Sequence, residues 1–439
     1  MKRLLETLQN VFKIPDLRKK ILFTLMIFVV YRIGGHIPSP GIDAKALGSF
    51  FAQSQGTLFG LFDLFVGGNL QRATIFALGI MPYISASIIF QLLTAVIPFL
   101  EKLQKEGEEG RRKITQYTRY ATVGLASIQG LGISIFLEGL RGAQGEIVVP
   151  FPGLYFRCLT VLTLTCGTVF VMWLGEQITE KGIGNGISLI IFVGVLEIFP
   201  TYWLNTIRSL TSGVLSPMIF LFSIAVMLGV IAAVVLITQA QRRIPVQYAK
   251  RVIGRRIYGG QSTHLPLNMN TSGVIPIIFA QSVIMLPTTF TQYFAKYDWV
   301  DTVNAYLQPG SWLYTTLYAT LIVGFAYFYT AIVINPVDMA GNMKKYGGFI
   351  PGIRPGQKTS EYIDKIMTRI TLPGAVFFAF IAILPFYLLK LPGISFFFGG
   401  TALIILVGVA LDTVQQIEAH LMMRHYEGFL KKGRVRGRR

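Results

Sequence analysis

Long apolar stretches recur along almost the whole chain, and each has about the length that a helix needs to cross a lipid bilayer. A transmembrane helix takes about 20 mainly apolar residues. Ten stretches approach or exceed that length, at residues 21–37, 74–100, 121–137, 158–174, 187–204, 214–238, 273–290, 312–334, 370–389 and 392–411. The sequence therefore predicts an all-α membrane protein with ten transmembrane helices.

Positive charge is concentrated in every second connection between these stretches. The chain carries a net charge of +19 although only 14% of its residues are charged. Most Lys and Arg lie in the amino-terminal segment, in the connections after the second, sixth and eighth stretches, and in the tail. Because cytoplasmic loops are enriched in Lys and Arg, we expect both termini to be cytoplasmic.

The ten stretches divide into two groups of five near the outer connection at residues 200–217. An odd number of spans in each half makes the second half enter the membrane in the opposite orientation. Such inverted repeats place a pathway at the interface between the halves. The predicted domains are residues 1–205 and 206–439, arranged as two inverted five-helix halves around a central pore.

Few ionisable residues lie inside the predicted spans. Glu197 and Asp412 sit near span ends, and Arg32 and Arg157 lie within or at the edge of spans. Ion-coupled transporters keep such groups in the membrane to bind or relay the ion. The pattern favours a hydrophobic gate over a binding site. A secondary transporter stays open as an alternative, and it predicts intramembrane charges and substrate uptake.

A short apolar segment at residues 56–68 precedes the second stretch. Its ten or so apolar residues are too few to cross a bilayer. It is either re-entrant, shielded by protein or water, or an amphipathic helix on the outer membrane surface. Gly67 and Gly68 give it a flexible joint, because glycine tolerates backbone angles that other residues avoid.

The connection after the sixth stretch, residues 239–260, contains six cations and no acid. Apolar and polar residues alternate over 243–248 and again over 256–258, which predicts a short β-hairpin. A basic projection of this kind suits a polyanion such as nucleic acid. The alternative is that the cations only determine topology.

Several kinds of site are not indicated by the sequence. Cys158 and Cys166, the two cysteines, lie eight residues apart on one predicted helix, and the four histidines are scattered, so no metal site is expected. No phosphate-loop motif occurs, and the glycines of residues 182–186 lack the spacing of a dinucleotide fingerprint. We therefore expect no cofactor and no enzymatic activity.

Five segments carry a resemblance to a known family. They are IFALGIMPYISASII at 75–89, EGEEGRRK at 106–113, GIGNGIS at 182–188, QSTHLP at 261–266 and FIPGIRPG at 349–356. In order and in sequence they resemble the SecY/Sec61-alpha family, whose bacterial members form the central subunit of the Sec protein-conducting channel. The resemblance runs from the first span to the tail.

The resemblance implies a pore with a narrow waist, a plug and a lateral gate. The waist maps to a ring of aliphatic residues, Ile80, Ile84, Ile187, Ile191, Ile278 and Ile405. The plug maps to residues 57–66 and contains Phe59, Leu61, Phe62, Leu64 and Phe65. The gate lies between spans two and seven, where Ser85, Ser87, Gln91, Gln281 and Ser282 can form hydrogen bonds. Only the i, i+4 spacing within Ile80/Ile84 and within Ile187/Ile191 follows from the sequence itself.

The resemblance also implies partners and a location. The cytoplasmic loops 239–270 and 335–369 are expected to contact the ribosome or the SecA motor through Arg242, Arg243, Arg255, Arg256 and Arg354. SecE-like and SecG-like small subunits, signal peptides and nascent chains are expected partners, and the basic tail suits anionic lipid. The expected location is the bacterial plasma (inner) membrane, with multiple spans. A ribosome receptor without a pore is a further alternative, but it leaves ten spans unexplained.

Overall fold

The computed structural model describes most of the chain, namely residues 14–53, 60, 63, 65–142, 145–248, 251–253, 256–258, 262–270, 272–293, 303, 305–388 and 400–432. Helices dominate these ranges. They are α1 Pro15–Gly34, α2 Ala44–Gln53, α3 Met81–Val96, α4 Pro98–Lys105, α5 Glu108–Gly139, α6 Leu154–Lys181, α7 Gly186–Thr211, α8 Pro217–Gln239, α9 Ile275–Tyr293, α10 Trp312–Val333, α11 Pro336–Lys345, α12 Gln357–Leu388 and α13 Gly400–Lys432.

Each of the ten predicted stretches overlaps a helix in the described part of the chain, namely α1, α3, α5 to α10, α12 or α13. Among the described residues, seven helices are long and apolar enough to cross a membrane, and the count becomes eight when the bent pair α3 and α4 is taken as one span. The helix α9 contains a shorter apolar segment, Ile275–Met285.

The second predicted span is shorter and more broken than the sequence suggested. We expected one span over residues 74–100, whereas α3 begins only at Met81 and the chain bends by 99° before α4. The residues before α3 form turns, and these turns lead through Gly79, whose φ of +54° is left-handed, to the start of the helix. Ile97 is extended because the proline that follows it disfavours the α conformation, which breaks the helix there.

Two compact units divide the chain. The first comprises Met1–Thr211, Ser282–Pro309 and Val409–Arg439. Within it α5 and α6 form an antiparallel hairpin with an ion pair near each end: Arg119 Nε lies 2.8 Å from Glu176 Oε1, and Arg157 Nη2 lies 2.6 Å from Glu138 Oε2. A buried cluster that includes Leu47, Phe51, Leu78, Leu137, Val148 and Leu164 packs α2 against this hairpin.

The second unit comprises Ser212–Gln281 and Gly310–Gly408. Its strands are β1 Gln241–Tyr248, β2 Arg251–Ile253, β3 Arg256–Tyr258, β4 Ser262–Asn268 and β5 Gly348–Phe349. The strand β1 pairs antiparallel with both β4 and β5, and β2 pairs with β3. The buried residues Ile244, Leu267, Ile350, Ile363 and Met367 pack the three-stranded sheet against the start of α12.

Candidate functional site

The first pair of predicted waist residues lies at the start of α3. Ile80 precedes the helix, and its carbonyl oxygen accepts a hydrogen bond of 3.1 Å from the amide of Ile84. Both side chains are 3% exposed. The left-handed backbone at Gly79 sets where the helix starts and therefore where Ile80 and Ile84 point.

The second pair lies in the first turns of α7. Asn185 caps this helix, because its side-chain Oδ1 accepts hydrogen bonds from the amides of Ile187, at 3.1 Å, and Ser188, at 3.4 Å. Ile191 is 1% exposed and Ile187 is half-buried. The cap fixes the start of the helix and with it the register of both isoleucines.

The remaining two waist residues belong to the second unit. Ile278 on α9 is 5% exposed, and Ile405 on α13 is fully buried. The chain approaches itself closely beside them, since a Cβ atom on Gly408 would lie 2.1 Å from Cγ2 of Val274. Of the six predicted residues, four therefore lie in the first unit and two in the second.

Most of the predicted plug falls outside the described residues, and this holds for Phe59, Leu61, Phe62 and Leu64. Phe65 is helical and 4% exposed. The segment that follows, residues 65–74, is here named the joint. It contains a turn held by Asp63, whose Oδ1 accepts hydrogen bonds from the amides of Leu70, at 2.9 Å, and Gln71, at 3.0 Å.

The predicted gate residues lie on α3 and α9. Ser85 is buried, and Gln91 donates a hydrogen bond of 3.1 Å from Nε2 to Oγ of Ser87 one turn earlier on the same helix. Gln281 and Ser282 are 1% and 2% exposed. The structure thus gives Ser87 and Gln91 a partner within their own helix.

The predicted basic contacts lie on the sheet and near it. Arg242 and Arg243 are exposed on β1, and Arg354 is exposed in the turns before α12. Arg256 belongs to β3 by its backbone, while Arg255 lies outside the described residues. Both segments of alternating sequence are strands, but β1 pairs with β4 and β5 instead of with β3. The pairing with β5 joins the loop after α8 to the loop after α10.

Sequence reasoning missed an ion cluster in the first unit. Glu197 on α7 contacts the guanidinium groups of Arg32 on α1 and Arg72 in the joint. Its side chain is 5% exposed, so the carboxylate is enclosed by its partners. Two residues could have indicated an ion pair in the sequence, because Arg32 and Glu197 each lie inside an otherwise apolar span. No sequence pattern marks the third member, Arg72.

Curated relatives match nearly the full length of the chain. It is 49% identical over 425 residues to the protein translocase subunit SecY of Escherichia coli (strain K12), with 96% of each chain covered. It is 50% identical over 441 residues to the protein translocase subunit SecY of Streptomyces galbus, covering 98% of this chain and all of that one.

Solved structures share the fold. One is a SecY protein whose plug domain stabilises the closed state of the translocation channel and maintains a membrane seal; the TM-score is 0.67 at 18% identity, with 95% of each chain covered. Another is Sec61 in the canine ribosome-channel complex from the endoplasmic reticulum, with a TM-score of 0.63 at 18% identity and 95% of each chain covered. These matches confirm the predicted fold class of an all-α membrane protein with multiple spans.

The SecY family model matches residues 74–414, which include α3 to α12 and the first part of α13. All five segments that carried the resemblance lie within that match. Family model, full-length relatives and fold agree, and the chain therefore belongs to the SecY family, a family of channel proteins and not of enzymes.

Proposed function

We propose that the chain is the central subunit of a protein-conducting channel, which moves unfolded secretory polypeptides across the membrane and releases membrane helices laterally into it. The observation that carries the proposal is the match to protein translocase subunits over 96% of both chains. The match extends through both proposed halves, residues 1–205 and 206–439. We assign the channel to the bacterial plasma membrane, with both termini in the cytoplasm.

The proposed waist consists of the six isoleucines at positions 80, 84, 187, 191, 278 and 405. A narrow ring of apolar side chains can exclude water and block ions while the channel is idle. Aliphatic side chains can also close around an extended chain of any sequence, whereas fixed polar groups would hold some clients too tightly. Support comes from the turn at Gly79 and the cap at Asn185, which give the four isoleucines of the first unit defined positions.

The proposed plug is the segment at residues 57–66, and the proposed lateral gate lies between α3 and α9. Each hydrogen bond between polar residues of two membrane helices contributes about 1 kcal/mol. A gate held by a few such bonds opens at small cost. Gln281 and Ser282 on α9 are the groups that we assign to one side of the gate, and Ser85, Ser87 and Gln91 on α3 to the other.

The proposed driving partners are a translating ribosome or the SecA motor, docked on the loops 239–270 and 335–369. Support for one docking surface comes from the β1 and β5 pairing, which joins these loops in one sheet, and from the exposed cations Arg242, Arg243 and Arg354. We assign Arg255 and Arg256 to the same surface. SecE-like and SecG-like subunits complete the channel, and the basic tail binds anionic lipid.

Resting ion conductance tests the waist. The test variant carries glycine at four positions, Ile80, Ile84, Ile187 and Ile191. These substitutions remove the apolar side chains from the proposed constriction. We expect the conductance of the idle channel in planar bilayers to rise several-fold, because water and ions can then enter the waist.

A matched control replaces four exposed isoleucines of the first unit with glycine, namely Ile33 on α1, Ile89 on α3, Ile128 on α5 and Ile207 on α7. This control should leave the idle conductance at the wild-type level. If the waist variant conducts no more than the control, the waist assignment is wrong.

A further inference from the structure

The turn between α6 and α7, residues 182–185, is held by side chains from two distant parts of the first unit. The amide of Ile183 donates a hydrogen bond of 3.2 Å to Oγ1 of Thr24 on α1. The amide of Gly184 donates a hydrogen bond of 3.0 Å to Oε1 of Gln416 on α13. Thr24 lies 159 residues before Ile183, and Gln416 lies 232 residues after Gly184, so only the folded chain brings them together.

The contact with Thr24 is buried, and its geometry makes the hydroxyl an acceptor for the turn. Thr24 is 7% exposed, and its hydroxyl donates a hydrogen bond of 3.0 Å to the carbonyl oxygen of Lys20. A lone pair of Oγ1 is therefore left to accept from Ile183, which is itself 5% exposed. The approach requires glycine at position 182, because a Cβ atom on Gly182 would lie 2.5 Å from Oγ1. Without this acceptor, a buried amide would lose its partner.

An apolar cluster beside these hydrogen bonds comes from the same three elements. Leu17 of α1 and Ile183 of the turn are buried in it, and Ile417 and Leu421 of α13 pack against them. Gly184 has φ of +89°, a left-handed angle that glycine adopts without strain. The turn therefore has a defined place against α1 and α13.

The place of the turn determines where α7 begins. Gly186 is the first residue of this helix, and its amide donates a hydrogen bond of 2.9 Å to Oγ1 of Thr179 in the last turn of α6. The cap at Asn185 continues the turn directly into the helix. Ile187 and Ile191 lie within the first two turns of α7, so a displaced turn would move both side chains with it.

We propose that Thr24 and Gln416 are positioning residues, which hold the turn between α6 and α7 and thereby place Ile187 and Ile191 in the waist. This inference rests on the proposed function, because the waist is assigned there. An idle channel leaks in proportion to the time that its waist is out of place. Loss of either acceptor raises the population of displaced turns and, with it, the idle conductance.

Matched pairs of substitutions test the two acceptors in the full-length chain. Thr24→Val keeps the shape of the side chain and removes the acceptor, whereas Thr24→Ser retains the hydroxyl. Gln416→Met and Gln416→Glu form the same kind of pair, because glutamate retains an acceptor oxygen.

Hydrogen exchange followed by mass spectrometry measures how firmly the turn is held. We expect the amides of residues 182–188 to exchange about tenfold faster in Thr24→Val, because a buried amide then lacks its partner. Gln416→Met should speed exchange only about threefold, since Gln416 is exposed and water can replace part of its bond. Thr24→Ser and Gln416→Glu should exchange as the wild type does.

Idle conductance, measured in planar bilayers with the accessory subunits, tests the link to the waist. It should rise about fivefold in Thr24→Val and about twofold in Gln416→Met, and the two conservative variants should stay at the wild-type level. The matched control is Thr163→Val, because the hydroxyl of Thr163 donates to the carbonyl of Leu159 within α6, at 2.8 Å. This control should change neither measurement.

Two results would overturn the inference. Exchange of the turn that is no faster in Thr24→Val than in Thr163→Val would show that Thr24 does not hold it. Faster exchange with wild-type conductance would show that the turn does not place the waist. The four-glycine waist variant, measured in parallel, separates this failure from that of the proposed function. If that variant leaks, only the positioning role is wrong; if it does not, the waist assignment is wrong and this inference with it.

Discussion

At the scale of residues, the packing of the helices depends on particular glycines that have no room for a side chain. A Cβ atom on Gly167 of α6 would lie 2.0 Å from the carbonyl oxygen of Ile75, and one on Gly186 would lie 1.9 Å from that of Gly175. Backbone atoms cannot move aside as a flexible side chain does. The sequence does not show which glycines touch a neighbouring segment. Gly124 in α5, for example, is also a helical glycine, but it has open space around it.

This difference gives a prediction for two equivalent substitutions. Gly167→Ala should destabilise the protein by about 1–3 kcal/mol through overpacking. Gly124→Ala should be neutral or stabilising by up to about 1 kcal/mol, because alanine favours the helix and meets no atom. Thermal unfolding of the detergent-solubilised protein, followed by tryptophan fluorescence, measures both. Equal unfolding temperatures for the two variants would show that the approach of α6 to Ile75 carries no packing constraint.

At the scale of elements, apolar length predicted where helices lie, and local backbone chemistry decided where they end. The stretch at 74–100 reads as one span because its composition is uniformly apolar, yet Gly79 and the proline after Ile97 divide it into turns, α3 and α4. Alternation predicted the strands at 243–248 and 256–258. The partners of β1 could not be predicted, because the β2 and β3 pair lies between β1 and β4, and β5 is distant in sequence.

The sheet leads to a prediction about partner binding. Charge reversal of Arg242 and Arg243, both exposed on β1, should weaken ribosome binding about tenfold or more at low salt and lower the slope of log affinity against log salt by about 2. Co-sedimentation with ribosomes over a salt series measures both effects.

The matched control reverses two exposed arginines, Arg141 and Arg208, which the proposed topology places on the opposite side of the membrane. It changes net charge by the same amount and should bind as the wild type does. Equal weakening in both variants would indicate a general charge effect and would remove the sheet from the docking surface.

At the scale of the whole molecule, span number and charge asymmetry were sufficient to predict the fold class, because a bilayer imposes length and polarity on any chain that crosses it. The proposed waist does not follow from span number and charge asymmetry. Isoleucine is an ordinary lipid-facing residue, so the i, i+4 spacing of Ile80 with Ile84 favours a pore only together with the family resemblance. The ion cluster around Glu197 was not predicted. Its partner Arg72 lies in the joint, which is far from Glu197 in sequence, and no sequence pattern relates the two residues.

The central claim is that a polypeptide passes through this chain beside the isoleucines of the proposed waist. Crosslinking an arrested secretory chain in reconstituted vesicles tests it directly. Cys158 and Cys166 are first replaced with serine, and one cysteine is then placed at Ile80, at Ile278 or, as a control, at Leu221, which is 70% exposed on α8. We predict adducts at positions 80 and 278 that require a driving partner, and none at 221. Adducts at 80 and 278 no stronger than at 221, with substrate fully accessible to added protease, would contradict the account.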